Sequence, residues 1–320
     1  MTPPLPTRDV DAERIGRAGL ITLNRPAALN ALTLPMIRHI RIAFDAHLAD
    51  PAVQVIVIRS ASPKAFCAGG DMRRIRELSL AHEFDEIASF FNEEYALDLA
   101  IAECPKPYVA LIDGIAMGGG LGLSVHGRHR VVTEHALMAM PETAIGFIPD
   151  VGASFFLSKL EPAIVMWLAL TGARVNAGEA VVTGLATHLT RREHLPGLLA
   201  ALAEVRAGDV EAVLQRFAEA PPASEVLASL RRRATGFDAA RLDDVLAAWR
   251  AAEGSHALTA FSPAALRRTF ALLHAAQGQP LRACLALEFE ASMLAARHPD
   301  FIEGARAVLV DKDRNPRWQA

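Results

Sequence analysis

Two carboxylates lie in a mostly apolar stretch near the middle of the chain. The segment Pro141–Gly152 reads Pro-Glu-Thr-Ala-Ile-Gly-Phe-Ile-Pro-Asp-Val-Gly and places Glu142 and Asp150 among apolar neighbours. A carboxylate that loses its water is destabilised unless its charge is paired, protonated or used in chemistry. Taken alone, the segment favours a simpler interpretation, in which both acids cap turns beside Pro141 and Pro149 where solvent reaches them. The glycine-rich residues upstream favour a functional site instead.

A triple glycine precedes this segment. Gly118–Gly120 follows the apolar run Tyr108–Met117 and comes before Leu121–Val125, an order that predicts a strand, a turn and a helix start. The first amides of a helix lack partners within it and carry partial positive charge, so they can bind an oxyanion where a carbonyl is attacked. An ordinary glycine turn is the alternative. The dinucleotide pattern Gly-x-Gly-x-x-Gly is not met, which argues against a nicotinamide or flavin site.

A second turn of small residues covers Ser62–Asp71, with the sequence Ser-Pro-Lys-Ala-Phe-Cys-Ala-Gly-Gly-Asp. It follows the apolar segment Val53–Arg59, which predicts a buried strand, and it leaves further backbone amides without partners. Two glycine turns that each follow a buried strand can supply one donor apiece to the same carbonyl oxygen. Two such donors define an oxyanion hole.

These motifs together resemble the crotonase, or enoyl-CoA hydratase/isomerase, superfamily and within it the 3-hydroxyisobutyryl-CoA hydrolase subgroup. The resemblance spans about residues 10–318 with a weaker middle, and so many matches in order are more specific than any single motif. The matching segments are Ile21–Pro26 with Leu29–Leu32, Ala65–Asp71, Lys106–Gly127, Met140–Gly152, and the tail Phe301–Asp313 with Asn315–Trp318.

The resemblance implies roles for individual residues. Gly70 and Gly119 would donate their backbone amides to the thioester oxygen of an acyl-CoA substrate. Glu142 matches the family's second catalytic glutamate, and Asp150 matches an acidic residue near the hydroxyl end of the substrate in the hydrolase subgroup. Glu94 matches a third acidic position. The implied substrate-binding residues are Glu94, Ala68, Gly69 and Asp71.

The setting of Glu94 agrees with that match. On a helix over Phe90–Ile101, spacings of three, four and seven residues place Glu94 on an apolar face. An acid on such a face is unusual, although a position at its edge is the alternative. The apolar members of this face are Phe90, Phe91, Leu97 and Ile101. The nearby acids are interpreted as solvated: Glu93, Asp98 and Glu103.

Gly122 stands where the hydratases of this family carry a glutamate. Hydration of an enoyl thioester uses two carboxylates to position a water and move its proton, so the loss of one argues against hydratase chemistry. Hydrolysis needs one carboxylate, which attacks the thioester or deprotonates water while the oxyanion hole carries the charge. The resemblance therefore implies hydrolysis of a short 3-hydroxyacyl-CoA, with 3-hydroxyisobutyryl-CoA as the substrate. An enoyl-CoA hydratase or isomerase and a non-catalytic acyl-CoA binding protein are the alternatives.

Charge and cysteine use bear on several other classes. The 320-residue chain carries a net charge of −3, which gives no electrostatic case for nucleic acid. Cys67, Cys104 and Cys284 show neither metal-ligand spacing nor a paired framework, so we expect a reduced, cytoplasmic protein without a metal. No apolar run reaches the length of a membrane span, and Met1–Arg14 lacks the apolar core of a signal peptide. No cofactor is expected, because coenzyme A is part of the substrate.

The pattern of elements predicts an α/β fold. Helix starts are predicted at Thr33 and Ser262, each followed by a proline suited to a first helical turn, and a further helix is predicted over Leu281–Arg297. Short segments rich in β-branched or large apolar residues predict four strands: Leu20–Leu23, Val53–Arg59, Tyr108–Ile112 and Arg130–Thr133.

The resemblance also implies how the chain is organised. We expect a crotonase-like spiral of β-β-α turns that binds acyl-CoA in residues 1–215, and a mainly helical C-terminal region in residues 216–320. Composition marks Pro221-Pro222 as the joint between them. The resemblance further implies a homo-oligomer, either a trimer, a hexamer or a dimer.

Overall fold

The computed structural model describes residues 9–221 and 223–319. The predictions that fall on residues 1–8 and on Pro222 lie outside the described residues. The strands are β1 (Val10–Ile15), β2 (Ala18–Leu23), β3 (Val55–Ser60), β4 (Ala65–Cys67), β5 (Tyr108–Ile112), β6 (Ile115–Met117), β7 (His129–Thr133), β8 (Leu137–Ala139), β9 (Val175–Asn176) and β10 (His188–Thr190). The helices are α1 (Leu34–Ala49), α2 (Met72–Ala81), α3 (Phe84–Ala102), α4 (Gly119–Val125), α5 (Ala153–Phe156), α6 (Pro162–Thr171), α7 (Ala177–Val182), α8 (Leu195–Glu204), α9 (Val210–Gln215), α10 (Ala223–Arg233), α11 (Leu242–Glu253), α12 (Pro263–Ala275), α13 (Leu281–Ala296) and α14 (Pro299–Ala305).

The strands form two sheets, and from β3 to β8 successive strands alternate between them. The larger sheet has the order β1-β2-β3-β5-β7-β10, and the smaller sheet has the order β4-β6-β8-β9. The pairs β3 and β4, β5 and β6, and β7 and β8 each add one strand to the larger sheet and the next to the smaller one. Neighbouring strands are parallel except at β1 with β2 and β8 with β9. This repeat is the predicted crotonase-like spiral of β-β-α turns, and the predicted fold class is confirmed.

The central strands read as unbroken apolar runs because both of their faces are covered. In β3, Val57 packs in a cluster with Leu198 and Leu202 of α8. The next residue, Ile58, points to the opposite face and joins the main core with the helices α1 and α3. Alternate residues of one strand thus stabilise two different packing layers.

Local sequence patterns correctly predicted four strands of the larger sheet and the starts of two helices. Each of the four predicted strands matches an observed strand to within two residues at either end, namely β2, β3, β5 and β7. Thr33 caps α1 by accepting a hydrogen bond from the Met36 amide at 3.3 Å, and Ser262 caps α12 by accepting one from Ala265 at 3.0 Å. The strands of the smaller sheet were not predicted, because two or three residues show no measurable alternation.

Helix α3 lies between several other helices and carries side chains to the centre of the molecule. It packs against α1, α2, α4 and α13, while α14 packs against α2 and the short turn Glu142–Ile145. The regular elements after Thr190 are helices, and α13 and α14 bring this end of the chain onto the spiral. The division at residue 215 stays a prediction. Within the described ranges, no helix is both long and apolar enough to span a bilayer.

Candidate active site

Most of the sequence-predicted site residues meet at one cavity. Its volume is about 470 Å³, and its walls come from both glycine turns, α3, the segment that follows β8 and the C-terminal tail. The fold therefore brings together residues from at least five separate parts of the chain. The predicted residues on its walls are Ala68, Gly69, Gly70, Glu94, Gly119, Glu142 and Asp150.

Gly70 and Gly119 bring two backbone amides together at the cavity wall. Gly119 is the first residue of α4, so its amide has no acceptor within the helix. The Gly70 amide donates no hydrogen bond to the turns and loops of the described chain. A β-carbon on Gly119 would lie 3.4 Å from the Gly70 nitrogen, so the two turns approach closely. Two unpaired amides on turns that approach this closely can bind one carbonyl oxygen.

The carboxylates beside this turn leave no room for side chains on it. Gly118 has a φ of 48°, which L-residues rarely adopt, and a β-carbon there would lie 2.8 Å from Glu142 Oε1. A β-carbon on Gly119 would collide with Glu94 Oε1. Larger residues at either position would therefore displace a carboxylate from the cavity wall.

Glu142 is buried at the start of the turn Glu142–Ile145, directly after Pro141. The residue is 7% exposed, and its Oε2 has no hydrogen-bond partner among the described residues. Burial, and after it the charge of Asp150, raises the pKa of Glu142 well above its usual value. Glu142 is therefore not a solvated turn cap, which was the simpler interpretation of its sequence.

Asp150 faces the same cavity and accepts a hydrogen bond from the Tyr95 hydroxyl at 2.8 Å. Burial raises the pKa of Asp150 to about 7, and the hydrogen bond from Tyr95 opposes that rise. The next residue, Val151, has a φ of 52°, a strained conformation for a β-branched residue. Glu288 of α13 holds this turn, because its carboxylate accepts a hydrogen bond from the Gly152 amide at 2.6 Å.

Glu94 lies on α3 as the sequence predicted. It is 2% exposed, and its Oε1 has no hydrogen-bond partner in the part of the chain that the structure describes. Burial, followed by the charge of Asp150, raises the pKa of Glu94 well above its usual value. The predicted helix and the predicted apolar face are confirmed, since the other members of that face are buried: Phe90, Phe91, Leu97 and Ile101.

The prediction that Asp98 is solvated is wrong. Asp98 lies one helical turn after Glu94 on α3, is 0% exposed, and has two carboxylate oxygens without a hydrogen-bond partner in residues 9–221 or 223–319. Burial, followed by the charge of Glu94, raises the pKa of Asp98 well above its usual value. The sequence contained a signal for this burial, because Asp98 comes four residues after Glu94 and residues four apart share a helix face. Glu93 and Glu103, by contrast, form ion pairs at or near the surface.

Asp71 lies beside the cavity but is not among the residues of its wall. Its carboxylate caps α2 by accepting a hydrogen bond from the Arg74 amide at 3.3 Å. It also pairs with Arg25, at 3.0 Å between the closest nitrogen and oxygen. These contacts account for its position, and its predicted contact with substrate stays a prediction.

Several functional candidates had no sequence signal of their own. The tail supplies part of the cavity wall, and Tyr95, Glu288 and Ser292 support the turn at Asp150. Contacts between segments so far apart depend on how α13 and α14 pack onto the spiral, which apolar periodicity does not specify. The tail residues on the cavity wall are Val308, Leu309, Arg314 and Pro316.

The fold and the cavity define a crotonase-fold protein with two closely approaching glycine turns, which are the candidate oxyanion hole, and buried acids beside them. The chain belongs to the enoyl-CoA hydratase/isomerase family, whose model matches residues 18–320. Among its relatives, the mitochondrial 3-hydroxyisobutyryl-CoA hydrolase of Danio rerio is 39% identical over 96% of this chain and 84% of its own length. The protein of the same name from Homo sapiens is 40% identical, over 97% of this chain and 84% of its own.

Solved structures with other names share the fold. A carnitinyl-CoA dehydratase from Mycobacterium thermoresistibile matches with a TM-score of 0.89 and 35% identity, over 98% of this chain and 92% of its own. An enoyl-CoA hydratase from Rhodobacter sphaeroides matches with a TM-score of 0.88 and 38% identity, over the same shares of both chains. Because these names describe different reactions, the choice between reactions depends on the site.

Proposed function

We propose that the protein hydrolyses short 3-hydroxyacyl-CoA thioesters, and that 3-hydroxyisobutyryl-CoA is its substrate. The observation that carries this proposal is the meeting of Glu142 and Asp150 with the amide-bearing residues Gly70 and Gly119 at one cavity. The relatives with the hydrolase name support it, because they are about 40% identical over most of the chain. Gly122 also supports the proposal, because α4 has no carboxylate at the position where hydratases carry one.

In the proposed reaction, the thioester oxygen lies between the amides of Gly70 and Gly119. These donors stabilise the negative charge that develops as the carbonyl carbon is attacked. Glu142 either attacks that carbon itself or removes a proton from an attacking water. If Glu142 attacks, the carbon–sulfur bond breaks as a mixed anhydride forms between Glu142 and the acyl group, and a water then cleaves that anhydride. If Glu142 acts as base, the water attacks the acyl carbon and the carbon–sulfur bond breaks. Either route consumes one water and releases the acyl group as a carboxylate, and the coenzyme A sulfur leaves as a thiolate that takes up a proton.

The other two acids at the cavity have supporting roles in this proposal. Asp150 and Glu94 bind the 3-hydroxyl group of the substrate and influence the protonation of Glu142. Burial of three acids at one site favours their neutral forms, so a proton is available within the cavity. The raised pKa of Glu142 also makes its ionised form a stronger base.

The solved structures named as a hydratase and a dehydratase favour a second candidate, which is water addition to an enoyl-CoA. That reaction uses the same oxyanion hole with a second carboxylate on α4. Position 122 is occupied by glycine, and a β-carbon there would lie 2.8 Å from Asp98. A carboxylate on α4 at this position is therefore incompatible with the present placement of Asp98, which supports the hydrolase over the hydratase.

We further propose that the protein works as a homo-oligomer and serves valine catabolism in the cytoplasm. The proposed substrate supports that pathway, since its carbon skeleton is the branched one that valine leaves. The free cysteines support a reducing compartment: Cys67, Cys104 and Cys284.

The experiment that tests this function follows two reactions on one preparation. Coenzyme A release from 3-hydroxyisobutyryl-CoA is measured with a thiol reagent, and hydration of crotonyl-CoA is measured as loss of its conjugated absorbance. Fast thiol release with little hydration is the expected result. Fast hydration without thiol release would establish the second candidate. Heat protection by an acyl-CoA without turnover of either compound would indicate a binding protein.

A further inference from the structure

Tyr95 connects the candidate acid Asp150 to the C-terminal helix α13. Its side chain is buried on α3, and its hydroxyl oxygen lies 2.8 Å from Asp150 Oδ2 and 2.9 Å from Ser292 Oγ. A tyrosine hydroxyl has one proton, and an ionised carboxylate has none to donate. Tyr95 therefore donates to Asp150, and Ser292 donates to Tyr95.

We propose that Tyr95 is a positioning residue for Asp150, holding Oδ2 so that Oδ1 faces the cavity and accepts the 3-hydroxyl group of the substrate. Among the described residues, Tyr95 is the one whose side chain hydrogen-bonds to this carboxylate. Asp150 itself lines the cavity, and the hydrogen bond from Tyr95 occupies one of its two carboxylate oxygens. The inference rests on the proposed function, because it assigns the other oxygen to a hydroxyl of the acyl group.

The packing around Tyr95 fixes the direction of its hydroxyl. Its ring lies 5.9 Å from that of Phe91, and Phe91 stacks on Phe147 with 5.6 Å between ring centroids. Both phenylalanines line the cavity. An aromatic ring held in this way has few other rotamers available, so the hydroxyl stays directed at the carboxylate.

Helix α13 holds the same turn at a second point. Glu288 lies one helical turn before Ser292, and its carboxylate accepts hydrogen bonds from the amides of Gly152 at 2.6 Å and Ser154 at 2.9 Å. Asp150 is therefore fixed through its side chain by Tyr95 and through the following backbone by Glu288. Helices α3 and α13 thus each supply one of the contacts that determine where this acid lies.

The burial of Asp150 explains why a donor is needed. Burial opposes the ionisation of this carboxyl, and Tyr95 counteracts it by donating a hydrogen bond to the ionised form. Loss of that donor raises the pKa of Asp150 above its value of about 7. The other ionisable groups near Asp150 or on the same cavity are Glu94 and Asp98 on α3, Glu142, Glu288 on α13, His126 after α4, Arg174, and Arg314 of the tail.

The test replaces Tyr95 by phenylalanine, which keeps the ring and removes the hydroxyl. We expect Tyr95→Phe to lower kcat/KM for 3-hydroxyisobutyryl-CoA roughly tenfold near pH 7 and to move the acid side of its pH profile upward by about one pH unit. Tyr108→Phe is the matched control. Tyr108 is the other tyrosine of the chain, and its buried hydroxyl donates to the Leu123 carbonyl at 2.9 Å. Its loss is expected to leave the pH profile in place.

A measurement independent of turnover separates this inference from the proposed function. The Asp150 carboxyl is titrated by NMR in protein labelled with ¹³C in its aspartate side chains, and its signal is assigned by its absence in Asp150→Asn. A higher Asp150 pKa in Tyr95→Phe is expected, with a smaller rise in Ser292→Ala, the second variant should Tyr95→Phe fail to fold. An unchanged titration in both variants, or an equal change in Tyr108→Phe, would overturn the inference. Wild-type protein that releases no coenzyme A would defeat the proposed function, while the titration still decides the role of Tyr95.

Discussion

Gly122 of α4 and Asp98 of α3 approach so closely that a β-carbon on Gly122 would lie 2.8 Å from both carboxylate oxygens of Asp98. The same β-carbon would lie 2.9 Å from that of Val151, the strained residue beside Asp150. Glycine at position 122 means that α4 carries no carboxylate there. It also leaves the space that the carboxylate of Asp98 on α3 occupies. The two positions are coupled through packing, and through Val151 they are also coupled to the candidate site.

A first prediction concerns that packing. Gly122→Ala should lower the free energy of unfolding by about 1–3 kcal/mol, because the added methyl group has no space between Asp98 and Val151. Chemical denaturation followed by circular dichroism measures the change. Gly208→Ala is the matched control, since a β-carbon on Gly208 meets no described atom within 4 Å. Equal stabilities for the two variants would contradict the close approach of α3 and α4.

A second prediction concerns the unpaired carboxyl of Asp98. Folding raises the pKa of this group, so the folded protein binds its proton more tightly than the unfolded chain does. The contribution of Asp98 to stability therefore falls as the pH rises above about 4, toward the raised value in the folded state. The side chain of the Asp98→Asn variant cannot ionise. The difference in Tm, variant minus wild type, should therefore increase as the pH is raised from about 5 to about 9.

A residue on the same helix provides the control for Asp98. The hydrogen bond from Arg38 lowers the pKa of Glu93, so the stability that Glu93 contributes is present above its unfolded pKa and is lost only in acid. Glu93→Gln should therefore shift the Tm by a constant amount between about pH 5 and about pH 9. If the Asp98→Asn curve runs parallel to that of the wild type over this range, the carboxyl of Asp98 is not held protonated.

Asp98 also illustrates what the sequence could and could not predict. The strands β3 and β5, the caps Thr33 and Ser262 and the buried position of Glu94 follow from apolar runs, capping chemistry and helical period, which are local. The helical period also places Asp98 on the face of Glu94, but its complete burial depends on the approach of α4 and α13, which no local pattern encodes.

The supports of the candidate site were hidden for the same reason. Tyr95, Glu288 and Ser292 are ordinary members of two predicted helices, and they acquire their roles only when α13 packs on α3. The candidate donors Gly70 and Gly119 could be proposed from sequence because free amides at a helix start are a property of the turn itself. Local chemistry was therefore predictable, whereas chemistry assembled from distant segments was not.

A third prediction concerns Glu142 as nucleophile or base. Glu142→Gln keeps the shape of the side chain and removes its charge, so coenzyme A release from 3-hydroxyisobutyryl-CoA should fall roughly 10³-fold or more. The variant should fold and be at least as stable as the wild type at neutral pH, because burial disfavours the ionised form of this acid. Thiol release and thermal unfolding on the same samples measure both. Near-normal thiol release would show that Glu142 is neither nucleophile nor base.

The last prediction concerns the pH dependence of the wild-type reaction. Asp150 gains a proton as the pH falls through its pKa of about 7, and Glu142, whose pKa burial raises well above its usual value, gains one at higher pH than a solvated glutamate does. Protonated Glu142 can neither attack a carbonyl nor accept a proton from water. The value of kcat/KM, which reports groups of the free enzyme, should therefore fall on the acid side of about pH 7.

The variant Asp150→Asn tests whether the charge of Asp150 raises the pKa of Glu142. Its neutral amide removes the charge that helps to raise the pKa of Glu142, so the remaining acid side of the profile should move to lower pH even though the rate itself is reduced. Rates are measured as thiol release across about pH 5 to about pH 9, with substrate well below KM. A wild-type profile that stays flat across this range, or an acid side that moves upward in Asp150→Asn, would show that these two carboxyl groups are not coupled in the reaction.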